Sequence, residues 1–225
     1  MSPEFSRLVE GAAEIAASGR WAAVKERIRH LTANPEVDND WWITLFASLC
    51  FHTCSEYRLL KRAHRENGGA PLLAWRARNL LELSVWSMYC AKSRQYARRF
   101  YEDAGRDELG LYSAFTTWGV VTAQSADWLQ PIANAKQDLS QRAAAAGIDS
   151  LDGVYKRVHE AAKECGLGDH FSLYFTMLSK FAHPTAMHIL APPDEARDAL
   201  QKDCFFSQGC LFFTGAFVAL EGQLI

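Results

Sequence analysis

Tyr174, Ser179 and His183 lie in an aromatic-rich stretch that runs into Pro184, and their side chains are of the kinds that move protons or hold anions. Ser179 and His183 are four residues apart and share a helical face. Tyr174, five before Ser179, sits about 140° around the axis. Pro184 disfavours α geometry at His183, so the imidazole is expected at the C-terminal end of a helix, where the backbone dipole favours a cation. A histidine held there can act as a general base, as a phosphate ligand, or as a hydrogen-bonding plug for carbonyls that the proline leaves without donors.

A second group lies about a hundred residues earlier. Arg78 and Glu82 are i, i+4 on a helix that also carries Trp75, Leu81 and Trp86, so they can pair within the helix while partly buried. Buried charges of this kind need partners. Glu82 is expected to orient His183 from a facing helix, leaving Arg78 for an anion. The catalytic candidates are therefore His183, Arg78 and Glu82, and the ligand-binding candidates are Arg78, Glu82, Tyr174, Ser179 and His183. A polar cluster that only ties two helices together uses the same residues.

Other candidates carry less. Cys50 and Cys54 share a helical face, but His52 points elsewhere and no second pair with zinc-type spacing follows. His159-Glu160 lacks the second histidine of a metalloprotease helix. No phosphate-binding loop, dinucleotide fingerprint or nucleophile elbow is present, so neither a metal nor a cofactor is expected.

The elements that must position these residues read as helices throughout. Apolar residues recur at helical spacing over 4–17 and again over 21–31, with Gly19 between. Asn34-Pro35 closes the second helix, and Asp38 or Asn39 caps a third that runs from Asp40 to about Glu66. Asn67-Gly68-Gly69 ends it, and Pro71 suits the first turn of a helix to about Lys92. Ser93 caps another from Arg94. Past Gly105 a long helical pattern resumes, with Pro131 expected to kink or split it and fraying over 143–147. Asp149-Ser150 opens a helix to Cys165, Asp169 caps the helix ending at His183, and Pro192-Pro193 starts the last one. Period-two alternation and hairpin turns are absent. The fold class is all-α, a bundle of about eight to ten helices. It is expected to form one domain over 1–225, with an N-terminal hairpin (1–37), a core (40–190) and a C-terminal core or interface helix (193–225).

Composition bounds the rest. The chain has 225 residues, 49% of them hydrophobic, which is enough to bury a core without disulfides or metal. The six cysteines sit mostly in apolar segments without regular spacing, and no basic-then-apolar leader is visible at the N-terminus, which together point to a reducing cytoplasm. The tract Cys204–Leu220 is interrupted by Ser207, Gln208 and Thr214, so it reads as a core or dimer helix and no membrane association is expected. The net charge is −2, yet residues 55–106 hold eleven Lys and Arg against five acids. Such a block can face phosphates or simply solvate long helices.

The two polar groups together resemble a family of mostly bacterial helical proteins of unknown function. Its pattern is Arg-x3-Glu, then Tyr-x3-Tyr, then Ser-x3-His-Pro-Ser. Arg78 and Glu82 match the first part; Tyr174, Ser179, His183, Pro184 and Thr185 match the rest, with His170 standing where the first tyrosine is usual. The resemblance covers about 40–190. The same segment is distantly similar to HEPN helical bundles, many of which are metal-independent ribonucleases that use Arg-x4–6-His in a dimer cleft. That resemblance implies a HEPN-like core. The corresponding arginine positions here are Thr176, Met177 and Leu178, and Lys180 is too near His183 in sequence to replace it, so nuclease chemistry would require Arg78 or a partner subunit to supply the cation.

Three functions follow from these readings. The first is a dimeric protein whose polar pocket binds an anionic ligand. The second is a HEPN-like ribonuclease or phage-defence toxin, with His183 as acid/base, Arg78 as phosphate stabiliser and the arginines of 58–65 and 94–99 as an RNA track. The third is a structural interaction protein without a ligand, its Cys204–Leu220 helix forming the subunit interface.

Overall fold

The computed structural model describes residues 2–33, 41–148, 150–183, 185, 190 and 194–225. Among them are nine α-helices and no strand: α1 (Pro3–Ala17), α2 (Gly19–Thr32), α3 (Trp41–Arg65), α4 (Ala70–Ala91), α5 (Arg94–Val121), α6 (Ala126–Ala145), α7 (Val158–Glu164), α8 (Gly168–Ala182) and α9 (Glu195–Leu224). The all-α expectation is met. The expected caps at Asp38 or Asn39, and Asn34, Pro35, Asp149, Pro184, Pro192 and Pro193, lie outside the described residues.

The chain divides into two compact units, Met1–Arg94 with Val158–Ile225, and Gln95–Arg157, a division that the one-domain reading did not contain. In the first unit, α9 is central. It packs on α4, α3 and α1, and α4 in turn packs on α8 and α3. Asp194 caps α9 by accepting from the Arg197 N–H at 3.0 Å. Phe205, Phe213, Phe217 and Leu220 are buried along it. Tyr57 of α3 stacks on Phe213 with centroids 3.9 Å apart, and Phe181 of α8 meets Phe205 at 4.9 Å. Gly209 lets α9 approach α3, since a Cβ there would lie 2.3 Å from Leu60 Cδ2. By length and composition α9 could cross a membrane, but 61% of its most apolar window is buried inside the chain.

The second unit is an α5–α6 hairpin with a returning segment. Three expectations are corrected here. Gly105 does not divide α5; it admits a close neighbour, for a Cβ there would lie 2.8 Å from Leu151 Cδ2. The break falls at 122–125, not at Pro131, because Ala123 takes φ 53° and Ser125 then caps α6 by accepting from the Trp128 N–H at 3.3 Å. Pro131 sits inside α6. The helix expected to reach Cys165 from 149–150 starts only at Val158. Part of the preceding non-helical run is held by α5: Arg99 Nη2 donates to the Val154 carbonyl at 3.1 Å, and the Lys156 N–H donates to Asp103 at 2.9 Å.

Candidate functional site

Helices α4 and α8 lie against each other, and the two predicted polar groups meet across them. Arg78 Nε donates to Glu82 Oε1 at 3.2 Å, one turn along α4. Arg78 Nη1 lies 2.7 Å from His183 Nε2, a contact spanning 105 residues of sequence. The guanidinium carbon stands 4.5 Å from the centroid of Phe175, so α8 also supplies an aromatic face beneath the cation. Glu82 therefore does not orient His183, as the sequence suggested. Its carboxylate is taken by Arg78 Nε, which the i, i+4 spacing brings closest, and Arg78 carries the histidine instead.

A guanidinium only donates, so in this contact Nε2 stands as the acceptor. His183 is exposed. It closes α8 in an extended conformation (φ −113°, ψ 149°), as expected before a proline, and its N–H donates to the Ser179 carbonyl at 3.3 Å. The role of plug for loose carbonyls falls elsewhere: Thr185 Oγ1 donates to the Lys180 carbonyl at 3.3 Å. The imidazole itself is left to Arg78.

Ser179 is the unusual hydroxyl. Ser87, Ser172, Ser207 and Thr214 each donate to the carbonyl four residues before them, the ordinary fate of a helical hydroxyl. Ser179 Oγ is buried and has no hydrogen-bond partner among the described residues. Leaving a buried hydroxyl unmet costs about 1–3 kcal/mol. Arg78 is similarly incomplete, because its Nη2 has no hydrogen-bond partner among the described residues while Nε and Nη1 are engaged.

Tyr174 is not part of this group. Its ring meets Phe212 of α9 edge-on at 5.3 Å and lines a cavity of about 270 Å³ between α4, α8 and α9. His170, one turn earlier, lines the same cavity. Asp169 does not cap α8. The N-cap is Leu167, and Asp169 lies in the first helical turn.

Much of the basic block is paired. Arg76 donates to both oxygens of Glu56 at 3.1 Å, Arg62 meets Glu66 at 3.0 Å and Arg98 meets Glu102 at 3.0 Å. Arg58 lies over Trp21, and Arg94 over Trp41 and Trp42. The expected RNA track is also split, since Arg58 to Arg94 belong to one unit and Arg98 and Arg99 to the other. Among the described residues no group of three or more His, Cys, Asp or Glu is placed to hold a metal ion. Burial holds the Cys90 thiol well above its ordinary range and pushes that of Cys210 up to about 12.

The pattern of a family of unknown function, DUF5677, matches residues 39–193, which include Arg78, Glu82, Ser179 and His183. The chain belongs to this family. No curated protein and no solved structure matches it. The DUF5677 segment thus takes in both halves of the α4–α8 cluster but stops short of α9, against which α4 packs most extensively.

Proposed function

We propose that the α4–α8 cluster of this DUF5677 chain is a binding station for an anionic, phosphate-bearing ligand. The observation that carries this reading is the guanidinium of Arg78, oriented by Glu82, His183 and Phe175 yet keeping an unpartnered Nη2. An arginine locked on several sides loses little entropy on taking up a further oxyanion. His183 offers a proton on Nδ1, and Ser179 offers a buried hydroxyl that lacks an acceptor. Glu82 balances the resting charge, so the ligand is expected to be multiply charged, as a phosphate is, in order to compete for the cation.

Titration calorimetry with pyrophosphate and with a short single-stranded RNA tests the reading. Saturable binding is expected, weakened about tenfold or more in both Arg78→Ala and Arg78→Lys, because lysine keeps the charge but loses the fork. If both variants and His183→Ala bind as the parent does, or if nothing binds, while the Tm falls by several degrees, the cluster only joins two helices.

One observation favours a second reading. The arginine missing from the helix of His183 is supplied from α4 at 2.7 Å, which supports a ribonuclease in which Arg78 steadies the phosphate and His183 moves the proton. A phosphate that draws Arg78 away would free Nε2 as the base. Cleavage of total RNA by the parent and none by His183→Ala supports this reading; intact RNA with the parent at high enzyme concentration rules it out.

A further inference from the structure

The Tyr-x3-Tyr part of the sequence pattern has no place in the anion station, and the structure puts it elsewhere. His170 and Tyr174 line the cavity of about 270 Å³ whose walls come from α4 (Val85, Met88), α8 (Phe171) and α9 (Leu211). Its polar lining residues are Ser84 of α4 and His170 and Tyr174 of α8. Ser84 is already satisfied, donating to the Leu81 carbonyl at 2.8 Å. The Tyr174 hydroxyl and the His170 imidazole have no hydrogen-bond partner among the described residues, and both come from the N-terminal half of α8. Among the described residues no aspartate or glutamate lines the cavity.

The opposite wall is kept small. Gly215 lets α9 close on α4 beside the cavity, since a Cβ there would lie 2.9 Å from Met88 Cε, and a larger side chain at this lining position would press on Met88 and the space. Glycine is a poor residue for the middle of a 30-residue helix, and at this position it preserves the opening. The cavity therefore has a largely hydrocarbon lining, two unpartnered polar side chains from α8 and a glycine in its α9 wall.

We propose that this cavity binds a small carboxylic acid with an apolar body, its hydrocarbon against α4 and α9 and its carboxylate on Tyr174 and His170. A cavity of 150 Å³ accommodates benzene, so 270 Å³ has room for roughly ten to twelve non-hydrogen atoms. Medium-chain and arylalkanoic acids are of that size. The site adjoins the Arg78 station without including it: Leu81, three residues along α4 from Arg78, lines the cavity, while neither Arg78 nor Glu82 is among its lining residues.

Titration calorimetry of the full chain with 4-phenylbutyrate, and with 4-phenylbutan-1-ol as its neutral counterpart, is the test. One saturable site is expected for the acid, with weaker binding of the alcohol. Tyr174→Phe, which keeps the ring, is expected to weaken the acid about fivefold. Gly215→Leu is expected to abolish binding, and Arg78→Ala to leave it unchanged. Should Gly215→Leu fail to fold by circular dichroism, Leu211→Trp narrows the same space from another position on α9 and is read the same way. The proposal is overturned if the acid shows no saturable binding at millimolar concentration. It is also overturned if binding persists undiminished in the folded cavity-filling variant, or if the alcohol binds as tightly as the acid in both parent and Tyr174→Phe. Because Arg78 variants decide the anion station and Gly215 variants decide the cavity, the two proposals fail separately.

Discussion

In the unit built from 1–94 and 158–225, the largest fully buried side chains are Phe46, Phe205, Phe213 and Phe217. In the unit of 95–157 the buried residues are Ala97, Asp103, Gly119, Leu139 and Ala143, and the one with hydrogen-bonding work is a carboxylate. Asp103 accepts from Arg106 Nη1 at 2.7 Å, from the Lys156 N–H at 2.9 Å and from Arg99 Nε at 3.4 Å. Arg98 Nη2 meanwhile donates to the Ala146 and Gly147 carbonyls at 2.8 and 2.9 Å. Leu111, Phe115 and Trp118, at i, i+4 and i+7 on α5, remain roughly half exposed. The first unit is thus cohesive through hydrocarbon, which tolerates some repacking. The second relies on directed charge-assisted bonds, each of which fails abruptly when one partner is lost.

Each unit can be destabilised by a substitution of its own, and the cysteines report which one opens, since all six lie in the first unit. Phe217→Ala should cost about 3–5 kcal/mol, as expected for a fully buried phenylalanine, and should expose Cys90 and Cys210 to a thiol reagent. Asp103→Ala should cost about 3 kcal/mol by stranding Arg106 and the Lys156 amide, yet leave thiol protection as it was. Thiol labelling that accelerates equally in both variants would show that the units do not unfold independently.

Two glycines sharpen the contrast at smaller scale. Gly209→Ala drives a methyl toward Leu60 in the apolar core, and Gly119→Ala drives one to 2.5 Å from Trp128 Cζ3. Leu60 is fully buried and cannot yield, so Gly209→Ala should lower stability by about 2 kcal/mol. Trp128 and Leu129, whose Cδ2 would lie 2.7 Å from the same methyl, are only half-buried and can swing aside. With the gain in helix propensity, Gly119→Ala should change stability by less than about 1 kcal/mol. Denaturant midpoints check both.

The smallest effect concerns pH. The hydrogen bond from Arg20 holds the Glu221 carboxyl below its usual 4.5 against partial desolvation. Desolvation alone would raise Glu108, but hydrogen bonds from Tyr112 and Arg142 outweigh it and bring that carboxyl below its usual 4.5 as well. A carboxyl depressed in the folded state contributes stability that is fully present above the unfolded value and is lost as pH falls through the folded one. Each unit should therefore weaken below about pH 4.5, and Glu221→Gln and Glu108→Gln should each flatten that acid limb in melts from pH 6 to pH 3.

How much was legible beforehand divides along the same line. The helices of the first unit were readable because Leu, Phe and Trp recur at helical spacing and because Pro71 and the Asn67-Gly68-Gly69 run mark a start and a stop. Arg78 and Glu82 were readable as a pair because four residues make one turn. That the pair meets His183 from a facing helix was expected from the combined motif, but that Arg78 rather than Glu82 makes the contact was not, since nothing in the spacing says which of two neighbouring charged side chains reaches across. The second unit was misread at Gly105, Pro131 and 150–157 for a physical reason: backbone carbonyls accept hydrogen bonds whatever the side chain, so the acceptors of Arg98 and Arg99 leave no trace in the sequence. The Tyr174 cavity was missed because its walls come from α9, outside the pattern that drew attention to α8.

The central place of α9 has a bearing on how the molecule is made. Synthesis runs from α1 onward, so α1, α3 and α4 emerge first but lack the helix they pack against. Residues 95–157 are complete some seventy residues before the end of α9 is extruded at about 5–20 residues per second. For several seconds on the ribosome the later-begun hairpin can be finished while the earlier-begun bundle still presents bare phenylalanine-binding surface. That interval is when a chaperone would be needed.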